Sequence, residues 1–294
     1  MRKSEISLAC ASVGAAALLL PALSGCSADA DGSEAAKQSV AATGAPVDPK
    51  HLTLPLDDYR ILNKDILVID RARVVLLKSC MRRFGVDLPV RAEDKVPGPQ
   101  YDNERRYGLA DAAEAARSGY HLFEKPVTPD TYSRKEKQLL DGTVTVSNGV
   151  SVPKGGCAGE AARKLSTEDA QEFNLVQKLN MSSYVASKKD PAVQEASRRW
   201  SSCMKNSGYS YPDPMAAIND SKFSGPTLGP DEKSVAKADV RCKQKVGFVA
   251  VWSTVETGYQ HALIDHDKSK LAVLKARKAE IVKRADAVVR GGTA

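Results

Sequence analysis

The residues best suited to chemistry form a polar and aromatic group in an irregular, proline-punctuated part of the sequence. They are Tyr101, Glu104, Arg105, Arg106 and Tyr107, with Asp102 among them and His121 a short distance downstream. Carboxylates and histidine are common general acids and bases, and loops on a rigid frame often carry binding residues. We take the group as a candidate binding site. The competing interpretation is a solvated loop whose charges pair with one another, because these residue types define no acid/base site without geometry.

No motif of a known catalytic or cofactor site accompanies this group. The sequence contains no nucleophile elbow, no glycine-rich dinucleotide or phosphate loop and no H-E-x-x-H pair. His261 and Asp265 lie one helical turn apart and are of metal-ligand type, but His266 is rotated from His261 by roughly 140° on a helix. A surface ion pair is the simpler interpretation. We therefore predict no metal, no cofactor and a protein that is not an enzyme.

Cysteines provide the second kind of chemistry. The sequence has six, of which Cys10 and Cys26 lie near the N-terminus, leaving an even set in the body of the chain: Cys80, Cys157, Cys203 and Cys242. No C-x-x-C pair occurs, which argues against a zinc knuckle or a redox site. Outside the cytoplasm four cysteines predict two disulfides, with three possible connectivities. Cys157 follows two glycines at a predicted helix start, so a reactive thiol is the alternative role for it.

The N-terminus predicts the compartment. Arg2 and Lys3 precede an apolar stretch that ends in Leu23-Ser24-Gly25-Cys26, the pattern of a bacterial lipoprotein signal. We expect residues 1–25 to be the signal peptide, Cys26 to carry the lipid, and the body to lie on the extracytoplasmic face of the cell membrane. Residues 26–50 contain few large side chains and predict a flexible tether. An uncleaved anchor of about 18 weakly apolar residues is the alternative.

The charge balance limits the partners. A net charge of +7 over 294 residues is modest, and the basic residues are dispersed among acidic ones. Such a balance gives a weak attraction to anionic wall polymers or lipid headgroups, without the aromatic interleaving of a nucleic-acid surface. We therefore exclude nucleic acid as a partner.

The elements that must position these residues are mostly helical. Apolar residues at helical spacing predict a helix opened by Asp57 or Asp58 and ended by Gly85, with a β-strand as the alternative over residues 66–75. Residues 86–135 are irregular apart from a short helix near 109–117. Alternation around Asn148-Gly149 predicts a β-hairpin over residues 144–152.

Further helices follow the hairpin. We expect one to open at Ser166-x-x-Asp169 as a capping box and another at Asp190-Pro191, ending at Gly208. Apolar spacing from Val235 to Val288 predicts one long C-terminal helix or two end to end. The candidate breaks are Gly247, Gly258 and residues 265–270. The fold class is therefore mainly α: disulfide-clasped helical units with one small hairpin and a long C-terminal helix.

A ten-residue pattern occurs twice without a gap. Cys80-Met-Arg-Arg-Phe-Gly85-Val-Asp-Leu-Pro89 aligns with Cys203-Met-Lys-Asn-Ser-Gly208-Tyr-Ser-Tyr-Pro212. Each copy is typical of a helix end, with a basic residue near the C-terminus, glycine as the cap and proline preventing continuation. Because one further cysteine follows each copy, the simplest pairing is Cys80 with Cys157 and Cys203 with Cys242; the other connectivities stay open.

These repeated cysteine units resemble those of uncharacterised secreted lipoproteins of actinobacteria, Streptomyces in particular. The resemblance includes Arg106-Tyr107-Gly108-Leu109-x-Asp111, Gly119-Tyr120-His121 and Gly155-Gly156-Cys157, and it covers most of residues 57–255. It implies a lipoprotein with the same cysteine framework, and no activity.

Together these observations predict two cysteine-clasped units, residues 51–165 and 166–294. The expected function is a non-enzymatic surface lipoprotein that binds or scaffolds a cell-wall polymer or an envelope protein. The alternative is an envelope hydrolase with an acid/base site in the first unit. A solute-binding protein of a transporter is weaker, because its alternation of strands and helices is missing.

Overall fold

The computed structural model describes residues 47–89, 102–122 and 131–291, which belong to one compact unit, Gln38–Ala294. The predicted signal peptide, Cys26, Tyr101 and most of the predicted tether lie outside the described residues. The α-helices are α1 (Asn63–Arg82), α2 (Ala112–Ser118), α3 (Arg134–Asp141), α4 (Gly156–Leu165), α5 (Asn174–Lys188), α6 (Pro191–Asn206), α7 (Pro214–Ile218), α8 (Pro230–Val246), α9 (Phe248–His266) and α10 (Lys268–Gly291). Short 3-10 helices occur at Pro49–His51, Pro55–Asp58, Ala170–Phe173 and Ser221–Phe223. The mainly α fold class is confirmed.

Helix α1 begins later than the sequence predicted. Asp57 lies in the 3-10 helix Pro55–Asp58, where its carboxylate accepts from the Leu54 N–H at 2.8 Å. At the start of α1 the Asp65 carboxylate accepts from the N–H of Leu62, the residue before the helix, at 3.0 Å. The predicted cap at Asp57 or Asp58 was therefore wrong, because Asp57 caps a separate turn upstream. The helical interpretation of residues 66–75 is confirmed.

The first disulfide joins α1 to α4. Cys80 and Cys157 are bonded with their Cα atoms 5.6 Å apart, as the repeat predicted. Around the bridge lies an apolar cluster of α1, α3 and α4 that includes Met81, Phe84 and Leu139. The sequence analysis missed α3, although Ser133 and Glu136 form the reciprocal capping box that marks its start.

The hairpin consists of β1 (Val146–Ser147) and β2 (Val150–Ser151), paired antiparallel. Asn148 and Gly149 take positive φ values of 49° and 73°, as a two-residue type I′ turn requires. The Asn148 side chain donates to the Phe84 carbonyl at 3.1 Å, which fixes the turn against the end of α1. The predicted hairpin is confirmed.

The connection from α4 to α5 departs from the prediction. Ser166 ends α4 in the left-handed region, with φ 59°, and its N–H bonds back to the last turn. Asp169 caps the 3-10 helix Ala170–Phe173 rather than completing a capping box with Ser166. The predicted box was wrong because Ser166 closes one helix instead of opening the next.

The second disulfide joins α6 to α8. Cys203 and Cys242 are bonded with Cα atoms 5.6 Å apart. Helix α6 begins as predicted, with the Asp190 carboxylate accepting from Ala192 N and Pro191 in the first turn. Trp200 and Met204 on α6 pack with Val235 and Ala238 of α8 in one cluster.

The C-terminal region contains three helices, α8, α9 and α10. The chain breaks at Gly247, which takes a φ of +65° between α8 and α9, and again at Asp267. Gly258 stays inside α9. Helix α9 packs on α5 and α6, and α10 packs on α1, so the long C-terminal region covers the body of the molecule. Among the helices of the described ranges, none has both the length and the apolar composition to cross a bilayer.

Candidate functional site

The segment of residues 102–122 carries the described members of the predicted binding site, and it contacts both the start of α1 and helices α8 and α9. Asp102 accepts from the backbone N–H of Asn63 at the start of α1, at 2.9 Å. The side chains that follow contact α2, α5, α8 and α9, and Arg105 also donates to the Tyr120 carbonyl within the segment. Their partners form two separate polar clusters, which we name the Glu256 cluster and the Asp239 cluster.

The Glu256 cluster is built on α9. Glu256 is 0% exposed, and its carboxylate accepts from Arg106, from the Tyr107 hydroxyl at 2.8 Å and from the Ser183 hydroxyl at 2.7 Å. Gln260 donates to the same carboxylate at 3.3 Å. Burial raises the pKa of the Tyr107 phenol, and the neighbouring Glu256 charge raises it further. Because the Tyr107 hydroxyl donates to Glu256, it acts as a hydrogen-bond donor within the fold.

Aromatic rings and a backbone carbonyl hold Arg106 and Tyr107 in place. The Tyr107 ring lies 4.9 Å from the Trp252 ring, and the Arg106 guanidinium lies 5.4 Å from the centre of the Tyr184 ring. Arg106 also donates to the Asn180 carbonyl at 2.9 Å. Since every one of these contacts is internal, the two side chains join α5 and α9 to the segment that precedes α2.

The Asp239 cluster is built on α8. The Asp239 carboxylate accepts from Trp200 Nε1 at 2.9 Å, from Lys243 Nζ at 3.0 Å and from the Tyr120 hydroxyl at 3.2 Å. Lys243 is 1% exposed and also donates to the Leu109 carbonyl at 2.8 Å. Loss of hydration raises the pKa of Asp239 and lowers the pKa of Lys243, while their mutual attraction opposes both shifts.

His121 lies beside this cluster in a two-sided contact. Its Nδ1 lies 2.8 Å from the Glu232 carboxylate and its Nε2 lies 2.7 Å from the Gly225 carbonyl. Both partners are acceptors, so only the protonated ring can donate to both. The Gly225 carbonyl first, and then Glu232, raise the pKa of His121 above its ordinary value. The Tyr120 backbone N–H shares the same carboxylate at 2.7 Å.

Arg105 and Glu104 complete the predicted group. Arg105 donates to the Tyr120 carbonyl at 2.8 Å and to Glu114 on α2 at 2.5 Å. Glu104 is partly buried in the same turn. The predicted side chains therefore do not meet in one cleft: Arg106 and Tyr107 join the Glu256 cluster, and His121 lies beside the Asp239 cluster. Arg105 pairs locally with Glu114, whereas Arg106 and His121 pair with carboxylates 150 and 111 residues away.

The sequence analysis missed the carboxylates that organise these clusters. Glu256 had a usable signal, because it is the only charged residue between Lys245 and Asp265. A single charge in such an apolar helix is expected to be buried with a partner. Asp239 and Lys243 had a weaker one, an oppositely charged pair four residues apart beside the apolar stripe of α8.

Two concave regions lie away from the predicted residues. One, of about 300 Å³, is bounded by the 3-10 helix Pro49–His51, the start of α2 and the junction of α8 and α9, with Asp111 and Lys243 in its wall. Lys50 crosses its edge in an ion pair with Asp111 at 2.6 Å. The other, of about 360 Å³, is a mainly apolar groove between α1, α10 and the 3-10 helix Ala170–Phe173.

No grouping of three or more histidine, cysteine, aspartate or glutamate side chains suited to a metal ion occurs in the part of the chain that the structure describes. The predicted reactive role of Cys157 is excluded, since its sulfur is in the disulfide with Cys80.

Comparison with known proteins adds no relative. No protein-family model, no curated protein and no solved structure matches the chain.

Proposed function

We propose that this protein is a lipid-anchored, non-enzymatic binding protein of the bacterial cell envelope. The anchor is the lipid on Cys26, and the partners are the membrane and a wall polymer or an envelope protein. The observation that carries the non-enzymatic role is the state of the candidate acid/base groups. Arg106, Tyr107 and His121 each direct their polar atoms at internal partners, which holds the fold rather than presenting a reactive centre.

The alternative, an envelope hydrolase, requires a carboxylate and a second titrating group around one open space. His121 faces Glu232 and Gly225, while Tyr107 faces Glu256, and neither side chain lines either of the two concave regions described above. This separation favours binding over hydrolysis.

The anchor is tested by growing bacteria that express the full chain with an alkyne-labelled fatty acid. We expect label on the wild-type protein and none on Cys26→Ser, because the thiol is the acylated group. Cys10→Ser is the matched control and should keep its label. Label that persists on Cys26→Ser would refute the lipoprotein assignment.

The binding role is tested by sedimenting the oxidised protein with purified cell-wall sacculi and following both the bound protein and released fragments. We expect binding without fragments. Fragments that disappear in Glu104→Gln or His121→Ala would support the hydrolase instead. An absence of both signals would direct the search to an envelope protein as the partner.

A further inference from the structure

The apolar groove combines an apolar floor with a rim of charged side chains. Its floor consists of four isoleucines and one phenylalanine: Ile61, Ile66, Ile69, Ile281 and Phe173. Ile66 is 43% exposed. Concave apolar surface that stays open to solvent usually marks a binding site.

The size of the groove limits what it can hold. A cavity of about 150 Å³ accommodates one benzene ring. A volume of about 360 Å³ therefore suits roughly ten to twelve carbon atoms in a single aliphatic chain. Volumes of this order lie at the lower end of small-molecule sites.

The rim of the groove indicates the charge of the head group. Arg73 is held by Asp70 at 2.5 Å, and Glu172 is held by Arg277 at 2.9 Å. Asp169, by contrast, has an exposed carboxylate that accepts from the Gln171 N–H at 3.1 Å, and it has no basic partner among the residues that the structure describes. The rim therefore offers the Asp169 carboxylate to a ligand, while Arg73, the arginine of its lining, is paired with Asp70.

We infer that the groove binds an amphiphile with one aliphatic chain of about ten carbons and a cationic head group. The chain lies on the isoleucine floor, and the head lies beside Asp169. This inference rests on the proposed binding function and names its ligand class.

The test uses the compact unit of residues 38–294 with both disulfides intact. This unit holds every described apolar cluster, so it has its own core. Decyltrimethylammonium is titrated below its micelle-forming concentration, with binding followed by calorimetry. We expect saturable binding to one site. Affinity should rise through hexyl, octyl and decyl chains by about two- to fourfold per methylene, since a fully buried methylene contributes about fourfold.

Two variants and their controls locate the site. Ile66→Asn should weaken binding about tenfold, because a polar group replaces part of the floor. Val185→Asn, at an equally exposed β-branched position on α5, should leave it unchanged. Asp169→Asn keeps a side chain that can cap the 3-10 helix, and should weaken the binding of decyltrimethylammonium about two- to fivefold without weakening that of decanoate, whose repulsion from the carboxylate is removed. Circular dichroism checks that each variant is folded.

Binding that never saturates, equal losses in Ile66→Asn and Val185→Asn, or decanoate that binds more tightly than the cation would each overturn the inference. Any of these results with sacculus binding intact would leave the proposed function standing. Saturable binding of the amphiphile together with fragment release from sacculi would support the groove and refute the non-enzymatic role.

Discussion

At the scale of single residues, Glu256 is the group on which most depends. It is fully buried, and its carboxylate accepts hydrogen bonds from Arg106, Tyr107 and Ser183. Removing one member of a buried ion pair leaves an uncompensated charge, so Glu256→Gln should lower the free energy of unfolding by about 3 to 5 kcal/mol. Urea unfolding measures this. Arg198→Ala, which breaks the exposed pair with Glu195, should lower it by less than about 1 kcal/mol. Equal losses of unfolding free energy in the two variants would contradict the buried network around Glu256.

His121 makes stability depend on pH. Its pKa is raised in the folded state, so the protonated ring stabilises the fold fully below the ordinary pKa of about 6.5, and this contribution is lost as the pH rises through the folded value. The groups that face the two ring nitrogens are the Glu232 carboxylate and the Gly225 carbonyl. We expect the stability difference between wild type and His121→Ala to shrink from about pH 5 to about pH 9, measured by thermal unfolding.

The matched control for this pH profile is His261→Ala, which changes an exposed histidine on α9. Its stability difference from wild type should stay small across the same range. A His121 profile that is flat, or that grows with rising pH, would contradict the two-acceptor contact.

At the scale of elements, two glycines in helices have opposite roles. Gly156 at the start of α4 has a φ of +65°, and a Cβ atom there would lie 2.2 Å from the Leu140 carbonyl oxygen of α3. Gly156→Ala should therefore destabilise the protein by several kcal/mol. Gly258 lies inside α9 with open space around it, so Gly258→Ala should stabilise it by about 0.5 to 1 kcal/mol. Urea unfolding of both variants measures these two changes in unfolding free energy. Changes of the same sign would refute the close packing of α3 on α4.

The two disulfides act between elements that are distant in sequence. In the chain-entropy model, loops of 77 and 39 residues each stabilise by roughly 4 kcal/mol. We expect the double variant Cys203→Ser, Cys242→Ser to have an unfolding free energy lower by about that amount, measured by urea unfolding. Peptide mapping of the wild type under non-reducing conditions checks which cysteines are joined. A crossed pairing in the map would refute the arrangement.

At the scale of the whole molecule, the predicted cysteine-clasped units share their cores. Helix α1 packs on α10 and α2 packs on α8, so each half of the chain covers apolar surface of the other. Shared burial makes unfolding cooperative. We expect one urea transition, with tryptophan fluorescence from Trp200 and Trp252 coinciding with the far-ultraviolet circular dichroism of all helices. Two separated transitions would show that the halves fold independently.

The sequence by itself determined the local features of this protein. Asn148-Gly149 specifies its turn, Asp190-Pro191 starts α6, and the repeated cysteine unit indicated both disulfide pairs, because these signals depend on neighbours in the chain or on simple spacing.

Only the tertiary structure decided the role of the segment that was predicted as a binding site. Arg106 and Glu256 are 150 residues apart, and no local pattern states that a buried carboxylate will meet an arginine over that separation. The groove is likewise formed by side chains from α1, α10 and the connection between α4 and α5. Whether a charged or apolar side chain is buried depends on which distant helix covers it, and that is settled by packing.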